Sequence, residues 1–448
     1  MSLDVRGRTV VVVGLAASGL AAVRALRAQG AEVRVTEARP REDVEGEVGA
    51  AEELGVEVLA GGHAPEHLRG ADLVVTSPGV PEGAPVLDWA RDRGVPVWSE
   101  IELGARLTGA PYAAVTGTNG KSTTTEMVAA ALRADGRDAV ACGNAGHPFS
   151  LAATEGHDVL AVEVSSFQLR FHRTFHPRVS VLLNVAPDHL DWHGGLEAYG
   201  AAKARVYECQ GEGDLHVGNA DDPLAAEISR GAPCPVVWTT LGEPAEGQVG
   251  FVGERLKSRL DAELDLGSPR PATPAHLADA AAAAAAALGL GASPQAVASA
   301  LSGFRPLAHR GEVVARRGDV VFVDDSKATN PHAALASIGG WERVALIAGG
   351  RAKGVDLTPL AEAAPRLVGV VAIGEAADEV AGVFEGLRPV ERAGSIEEAA
   401  ELAAAMAGPR GTVLLAPACA SQDMFRDYAE RGDRFAAAAR ALGEEAAG

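Results

Sequence analysis

The sequence is poor in cysteine and in positive charge. Four cysteines, Cys142, Cys209, Cys234 and Cys419, are scattered over 448 residues without a C-x-x-C pair. This scarcity argues against a disulfide framework or a cysteine-based metal site and predicts buried or inert thiols in a reducing compartment. Sixty acidic residues against 40 lysines and arginines give a formal net charge of -20. That balance disfavours nucleic-acid binding, which requires basic surface to neutralise phosphates.

Long hydrophobic runs are also missing. The longest run of small residues, Ala280–Ala287, is too short to span a bilayer and predicts a helix instead. The first eight residues, Met1 to Arg8, lack the apolar core of a secretory signal peptide. Because 47% of the residues are hydrophobic, the chain has the composition of a globular protein. We expect a cytoplasmic protein without membrane insertion.

The arrangement of the apolar residues indicates the fold class. Short Val/Leu/Ile runs alternate with Ala-rich segments of helical length, which is typical of βαβ units and parallel sheets. The alternation falls into three blocks, and a chain of this length is expected to form two or three domains. We predict an α/β protein with a Rossmann-like N-terminal domain (residues 1–99), a central P-loop ATPase-type mononucleotide-binding domain (100–305) and a Rossmann-like C-terminal domain (306–448). The sequence of residues 241–274 is uninformative about secondary structure.

The first block begins with a strand that ends at Gly14 and a turn that leads into a helix at Gly19. With the acid Glu37 further on, this resembles the dinucleotide motif G-x-G-x-x-G, but Ala16 replaces the glycine that lets the backbone approach a pyrophosphate. The pattern is therefore a weak indication of a nicotinamide site. A nucleotide-binding turn and a plain strand–turn–helix remain equally open. A later strand ends at Ser77, which is expected to face the same crevice.

The second block contains Val115-Thr-Gly-Thr-Asn-Gly-Lys-Ser-Thr-Thr124. This stretch resembles a phosphate-binding loop, although Val115 stands where a Walker A motif has its first glycine. A strand before it and a helix from Thr123 would place the backbone N–H groups and the helix dipole beside an anion. Lys121 could then reach the β- and γ-phosphates, and Ser122 could bind Mg²⁺.

Three further residues of this block are candidates for the same chemistry. Glu163 follows an apolar run and could bind Mg²⁺, or it could be an acid at a strand end that faces solvent. His189, beside Asp188 and Asp191, could be a metal ligand, a base or a structural histidine. Lys203, taken alone, is interpreted as a solvated surface lysine.

Together these segments resemble the Mur ligase family of ATP-dependent amide-forming ligases. The similar segments are the short phosphate loop Gly117–Thr123, Gly143–Gly146, Glu163–Leu169 and Asn184–Asp191. In the third block, Val323–Pro331 and Leu415–Ser421, followed by Asp423 and Phe425, resemble the members that add D-glutamate. The resemblance implies that UDP-N-acetylmuramoyl-L-alanine is joined to D-glutamate through an acyl phosphate in peptidoglycan precursor synthesis.

We expect a monomer that binds no nucleic acid. The resemblance also implies a role for each matching residue. Catalysis would depend on Lys121, Glu163, His189 and Lys203. ATP would contact Gly117, Thr118, Asn119, Gly120, Lys121, Ser122, Thr123, Asp279, Arg310 and Asp325. Mg²⁺, expected as two ions, would be bound by Ser122, Glu163, His189 and a carbamylated Lys203. The UDP-muramoyl substrate would contact Glu37, Arg39, Ser77, Asn144 and Ser165. D-Glutamate would contact Lys327, Thr329, Lys353, Ser421 and Tyr428.

Two positions depart from the family pattern. Asp279 stands where the family often has an adenine-binding asparagine, and Arg351 stands where relatives often carry an acid. The alternatives to the main interpretation are a related Mur or folylpolyglutamate-type ligase with another acceptor, a nicotinamide oxidoreductase, and a nucleotide-binding protein without catalysis.

Overall fold

The computed structural model describes residues 5–260, 262–270 and 272–445, without the side chains of residues 191, 444 and 445. Residues 1–4, on which part of the signal-peptide prediction rests, lie outside this description. The contacts divide the chain into two compact units. The first unit comprises Met1–Val185, Glu197–Ser268 and Asp279–Ser302, and the second comprises Ala186–Leu196, Pro269–Ala278 and Gly303–Gly448.

The first sheet of the first unit is parallel. Its strands, in the order β3-β2-β1-β4-β5, are β1 (Thr9–Val13), β2 (Glu32–Thr36), β3 (Glu57–Leu59), β4 (Leu73–Thr76) and β5 (Val97–Ser99). Its helices are α1 (Ala17–Ala28), α2 (Glu45–Glu52), α3 (Pro85–Asp92) and α4 (Glu100–Leu107). The valines of β1 alternate between two apolar clusters, one on each face of the sheet, which explains why this strand is an uninterrupted apolar run.

The second sheet of this unit is formed by the part of the chain that comes after the first sheet. Its strands are β6 (Tyr112–Thr116), β7 (Ala139–Gly143), β8 (Val159–Glu163), β9 (Val179–Leu182), β10 (Leu215–Asn219), β11 (Val236–Thr239), β12 (Gln248–Val252), β13 (Arg255–Arg259) and β14 (Glu263–Asp265). Within the described residues their order is β14-β13-β12-β11-β10-β9-β6-β8-β7. The helices of this stretch of chain are α5 (Lys121–Ala134), α6 (Phe149–Ala152), α7 (Leu190–His193), α8 (Leu196–Ala204), α9 (Pro223–Ser229), α10 (Pro274–Gly289) and α11 (Pro294–Ser302).

The region 241–274, which the sequence left without an interpretation, contains β12, β13 and β14, which pair antiparallel at one end of the sheet. Charged residues occupy most of β13 and β14, so their sequence lacks the apolar alternation of a half-buried strand. The helix after the phosphate loop begins at Lys121 rather than Thr123. The alanine run forms the core of α10, as predicted.

The second unit contains the third sheet. Its strands are β15 (Glu312–Arg317), β16 (Asp319–Asp324), β17 (Val344–Gly349), β18 (Leu367–Ile373), β19 (Val390–Ala393), β20 (Arg410–Leu415) and β21 (Glu444–Glu445). The order is β19-β18-β17-β20-β16-β15-β21, with β15 and β21 antiparallel to their neighbours. The helices are α12 (Pro331–Gly339), α13 (Ala377–Phe384), α14 (Ile396–Ala407) and α15 (Tyr428–Leu442). Apolar clusters cover both faces of this sheet.

The prediction of an α/β protein with three regions built on parallel strands is confirmed. All four cysteines are free thiols, with Cys209 partly exposed and the others buried. In the part of the chain that the structure describes, no helix is both long enough and apolar enough to cross a membrane.

Candidate active site

The phosphate loop lies between β6 and α5, at the carboxyl edge of the second sheet. Gly120 adopts the left-handed conformation, with φ of 84°, and a Cβ at this position would lie 2.1 Å from Oδ1 of Asp279. A Cβ on Gly117 would lie 2.9 Å from Cβ of Leu183. Both glycines are therefore required by close approach, and Gly120 by its backbone conformation as well.

Asn184, just beyond β9, holds this loop in place. Its carbonyl accepts a hydrogen bond from Thr118 N–H (3.0 Å), and its Oδ1 accepts one from Asn119 N–H (2.8 Å). Its amide nitrogen donates in turn to the carbonyl of Asn119 (3.2 Å). The strand order makes this possible, because β9 is a direct neighbour of β6. The sequence resemblance included Asn184 but gave it no role.

Two lysines converge on the same loop. The ammonium group of Lys121 donates to the carbonyls of Gly117 (3.0 Å) and Thr118 (2.9 Å). That of Lys203 donates to the carbonyl of Gly117 at 2.6 Å and lies 4.3 Å from the centroid of the Tyr199 ring. The interpretation of Lys203 as a surface lysine is wrong, because the residue is 1% exposed. The ammonium group of Lys121 beside a helix N-terminus forms a suitable environment for phosphate.

Glu163 ends β8, next to the loop along the sheet edge, since it pairs in register with Val115 of β6. It is buried, so the alternative of an acid facing solvent is also wrong. Its Oε1 accepts a hydrogen bond from the side-chain amide of Asn144 (2.9 Å). Ser165 lies just beyond, with its hydroxyl donating to Oε1 of Gln168 (3.0 Å).

Other predicted ATP ligands surround the loop. Ser122 and Thr123 occupy the first turn of α5, where the free N–H groups of the helix are found. The carboxyl group of Asp279, on α10, lies against Gly120. Asp279 is therefore a neighbour of the phosphate loop, whereas the family pattern assigned its position to adenine.

The first sheet brings together three of the residues predicted to contact the UDP-muramoyl substrate. Glu37 follows β2, where its carboxylate accepts hydrogen bonds from Leu15 N–H (2.6 Å) and from the Arg39 guanidinium (3.0 and 3.2 Å). Burial raises the pKa of Glu37, but the bonds from Arg39 and the backbone outweigh it and lower the pKa to about 2. Ser77 donates its hydroxyl proton to the carbonyl of Gly14 (3.1 Å).

Two histidines at this edge were not singled out by the sequence. Nδ1 of His63 and Nδ1 of His67 each lie 2.8 Å from the hydroxyl oxygen of Thr36, the last residue of β2. Since a hydroxyl has one proton, at least one of the two rings must donate to it. Neither histidine belongs to a motif, and only the fold brings them together.

In the second unit, four of the predicted D-glutamate ligands lie on loops at the carboxyl edge of the third sheet. Lys327 and Thr329 follow β16, Lys353 follows β17 and Ser421 follows β20, and these three strands are neighbours. Arg351, in the same loop as Lys353, exchanges two backbone hydrogen bonds with Ala420 (2.9 and 3.0 Å).

The remaining D-glutamate ligand and the ATP ligands of this unit lie close by. Tyr428 begins α15, and the ammonium group of Lys327 lies 3.9 Å from the centroid of its ring. Asp325 follows β16, and burial, opposed by a hydrogen bond with Ser337, raises its pKa to about 7. The positive charge of Arg310 acts on the same carboxyl group and partly opposes this rise in pKa.

His189 belongs to the segment Ala186–Leu196 of the second unit. It has a φ of 53°, which is unusual for a residue with a side chain. Its Nε2 lies 3.7 Å from Oδ1 of Asp188, while the side chain of Asp191 lies outside the described residues. Across residues 5–260, 262–270 and 272–445, no group of three or more His, Cys, Asp or Glu side chains could enclose a metal ion.

Three domain families match the chain. They are the Mur ligase MurD-like N-terminal domain over residues 8–99, the Mur ligase middle domain over residues 115–258 and the Mur ligase glutamate ligase domain over residues 309–419. The chain belongs to the Mur ligase family. The family predicted from the sequence motifs is thereby confirmed.

Individual Mur ligases match nearly the whole chain. A protein of Frankia casuarinae named UDP-N-acetylmuramoylalanine--D-glutamate ligase is 46% identical over 98% of this chain and 95% of its own length. A protein of Thermobifida fusca with the same name is 44% identical over 98% of this chain and its entire length. Among solved structures, the UDP-N-acetylmuramate-alanine ligase MurC of Thermotoga maritima has a TM-score of 0.60 at 19% identity, covering 97% of this chain and 99% of its own. That likeness shows the shared fold.

Proposed function

We propose that this chain is an ATP-dependent ligase that joins the amino group of D-glutamate to the alanyl carboxylate of UDP-N-acetylmuramoyl-L-alanine. The observation that carries the proposal is the near full-length identity of 46% and 44% with two proteins that bear this ligase name. We assign residues 1–99 to the UDP group, 100–305 to ATP and 306–448 to the acceptor, in a monomeric cytoplasmic enzyme of peptidoglycan precursor synthesis.

Amide formation in water is uphill, so the carboxylate must first be activated. A carboxylate oxygen of the alanyl group attacks the γ-phosphorus of ATP, and the bond from this phosphorus to the β,γ-bridging oxygen breaks. ADP departs, and the carboxylate has become an acyl phosphate. This step brings two anions together. Lys121 and the N–H groups at the start of α5 are suited to offset the repulsion, because they stand at the loop that receives the phosphates.

The second step forms the amide. The neutral amine of D-glutamate attacks the acyl carbon, a tetrahedral intermediate forms, the carbon–oxygen bond to phosphate breaks, and the nitrogen loses a proton. D-Glutamate carries two carboxylates, which require positive charge or N–H groups. Lys327 and Lys353 supply charge, and the hydroxyls of Thr329, Ser421 and Tyr428 supply hydrogen bonds at the same sheet edge.

Mg²⁺ is expected to neutralise phosphate charge when it is bound. This ion is usually held by one or two protein carboxylates together with substrate phosphates and water. The buried carboxylate of Glu163 and the nearby first turn of α5, with Ser122, fit that requirement. We also assign a metal-binding role to Lys203, whose amine would form a carbamate with carbon dioxide and release one proton, and a separate metal-binding role to His189.

The UDP-muramoyl substrate is assigned to Glu37, Arg39 and Ser77 at the first sheet and to Asn144 and Ser165 at the second. Because Glu37 and Arg39 pair with each other, their local charge is close to neutral. Recognition here would then depend on hydrogen bonds more than on net charge.

The test is phosphate release from ATP and UDP-N-acetylmuramoyl-L-alanine, with D-glutamate, L-glutamate, L-lysine or meso-diaminopimelate offered in turn. We expect release with D-glutamate alone. Release with another acceptor would retain the ligase chemistry and overturn the acceptor assignment. Absence of release with every acceptor would overturn the proposed function.

A further inference from the structure

The segment that carries His189 belongs to a different unit from the elements around it. Strand β9 before it and most of α8 after it lie in the first unit, whereas Ala186–Leu196 groups with the second unit. A specific contact must therefore attach this segment to the second unit, and the structure contains one.

The contact is made by Asn330, a buried residue at the start of α12. Its Oδ1 accepts a hydrogen bond from Ala333 N–H (2.9 Å) and so caps the helix. Its Nδ2 donates to Oδ2 of Asp188 (3.3 Å). Because the cap fixes the oxygen end of the planar amide, the donor end has one direction available. That direction leads to the residue before His189.

The other oxygen of the same carboxylate, Oδ1, lies 3.7 Å from Nε2 of His189, which is beyond hydrogen-bond distance. Asp188 and His189 are adjacent in the chain, so a contact that fixes the Asp188 carboxylate also limits where the His189 imidazole can lie. Asn330 also directly follows Thr329, one of the residues assigned to D-glutamate. One side chain thus connects the acceptor loop to the histidine assigned to metal.

We propose that Asn330 is a positioning residue that holds the His189 imidazole in place through Asp188. The inference rests on the proposed function, because the role of His189 as a metal ligand belongs to that function. Loss of the contact should weaken the use of Mg²⁺ during phosphoryl transfer and leave the binding of ATP and D-glutamate nearly unchanged.

The sharpest variant is Asn330→Asp. Aspartate caps helices as well as asparagine does, so α12 should remain intact, but a carboxylate would then face the carboxylate of Asp188. We expect kcat to fall by about tenfold, the scale of losing one hydrogen bond to a charged group. The Mg²⁺ concentration for half-maximal rate should rise, and both KM values should stay within about twofold of wild type.

The double variant Asn330→Asp with Asp188→Asn reverses the polarity of the contact and should restore kcat to within about threefold of wild type. Asp188→Asn alone keeps an acceptor for Asn330 and should have a smaller effect than Asn330→Asp. Ser395→Asp is the matched control, because Ser395 caps α14 through Glu398 N–H and has no assigned role; it should leave every parameter unchanged.

A second readout does not depend on activity. Urea unfolding of the metal-free wild type, both single variants and the double variant gives the coupling between the two positions. We expect a coupling of about threefold or more in the unfolding constant. Wild-type kcat and Mg²⁺ dependence in Asn330→Asp would overturn the proposal, and so would a double variant as impaired as Asn330→Asp. If the wild type itself releases no phosphate, the proposed function fails. In that case the urea unfolding still tests the contact between Asn330 and Asp188, and a coupling near zero would contradict it.

Discussion

Arg431, on α15, is buried completely without an ion pair in the described chain. Its guanidinium donates to the hydroxyl of Ser326 (2.9 Å), to the carbonyl of Ser326 (2.8 Å) and to the carbonyl of Cys419 (3.2 Å). Ser326 and Cys419 lie on the loops that carry Lys327 and Ser421. Arg431 therefore fixes the geometry of the proposed D-glutamate site, although nothing in the sequence singled it out.

The stability of this arrangement can be weighed from the structure. Burial lowers the pKa of Arg431 from 12.5 to about 10, and at about 1.36 kcal/mol per pKa unit the charged form destabilises the fold by on the order of 3 kcal/mol. Three hydrogen bonds at about 1 kcal/mol each stabilise it by a similar amount. Replacement of Arg431 by methionine removes both contributions but takes the donor away from the buried Ser326 and Cys419 carbonyls, so the free energy of unfolding should fall by about 1–3 kcal/mol.

Lysine should be the worse replacement. It keeps a buried charge but lacks the planar fork that reaches three acceptors. We expect Arg431→Lys to lose about 2 kcal/mol more stability than Arg431→Met, and both variants to raise the KM for D-glutamate about tenfold while the KM for ATP stays the same. Urea unfolding and phosphate release at varied D-glutamate measure these quantities. A methionine variant less stable than the lysine variant would refute the charge argument, and an unchanged D-glutamate KM in both would refute the positioning argument.

Lys121→Ala should abolish phosphate release while the circular dichroism spectrum stays that of wild type; ordinary turnover in a folded variant would contradict the role of Lys121. Gly120→Ala should lower ATP affinity about tenfold, because a left-handed φ costs a non-glycine residue about 1–2 kcal/mol and the new Cβ meets Asp279; titration with a fluorescent ATP analogue measures this, and unchanged affinity would contradict it. ¹³C-bicarbonate should produce a carbamate NMR signal in the wild type that is missing from Lys203→Met, and equal spectra would exclude carbamylation there. The raised pKa of Asp325 means that the folded state binds its proton more tightly than the unfolded state does. Its contribution to stability should be complete below pH 4 and disappear as pH rises through about 7, so Asp325→Asn should flatten the pH dependence of the unfolding free energy over that window, and a parallel curve would contradict the shift.

The sequence predicted those parts of the site that short motifs specify. The spacing of Gly117, Gly120 and Lys121 was enough to predict a phosphate loop between a strand and a helix, and the strand end at Glu163 followed from an apolar run. These features are local, because a turn and a helix start depend on neighbouring residues.

Features that depend on distant contacts were not predictable. The burial of Lys203 follows from its contact with Gly117, 86 positions away, and its own helix of small residues gives no sign of it. The bond between Asn330 and Asp188 joins residues 142 positions apart. Strands β13 and β14 were not recognised in the sequence, because charged residues that form cross-strand ion pairs, such as Arg255 with Asp265, replace the apolar alternation that marks a strand.

A protein with a net charge of -20 that is proposed to bind three anionic ligands must do so by local means. At physiological ionic strength charges are screened beyond about 8 Å, so the overall field has little influence at a bound ligand, whereas groups in contact with it are hardly screened. The three sheets offer different contacts. At the second sheet Lys121 and the N-terminus of α5 stand at the phosphate loop, which suits ATP. At the first sheet Arg39 is neutralised by Glu37, which suits a nucleotide recognised by its hydrogen-bonding groups. Binding of these anions therefore depends on groups in contact with them, and the surplus of acid elsewhere does not conflict with it.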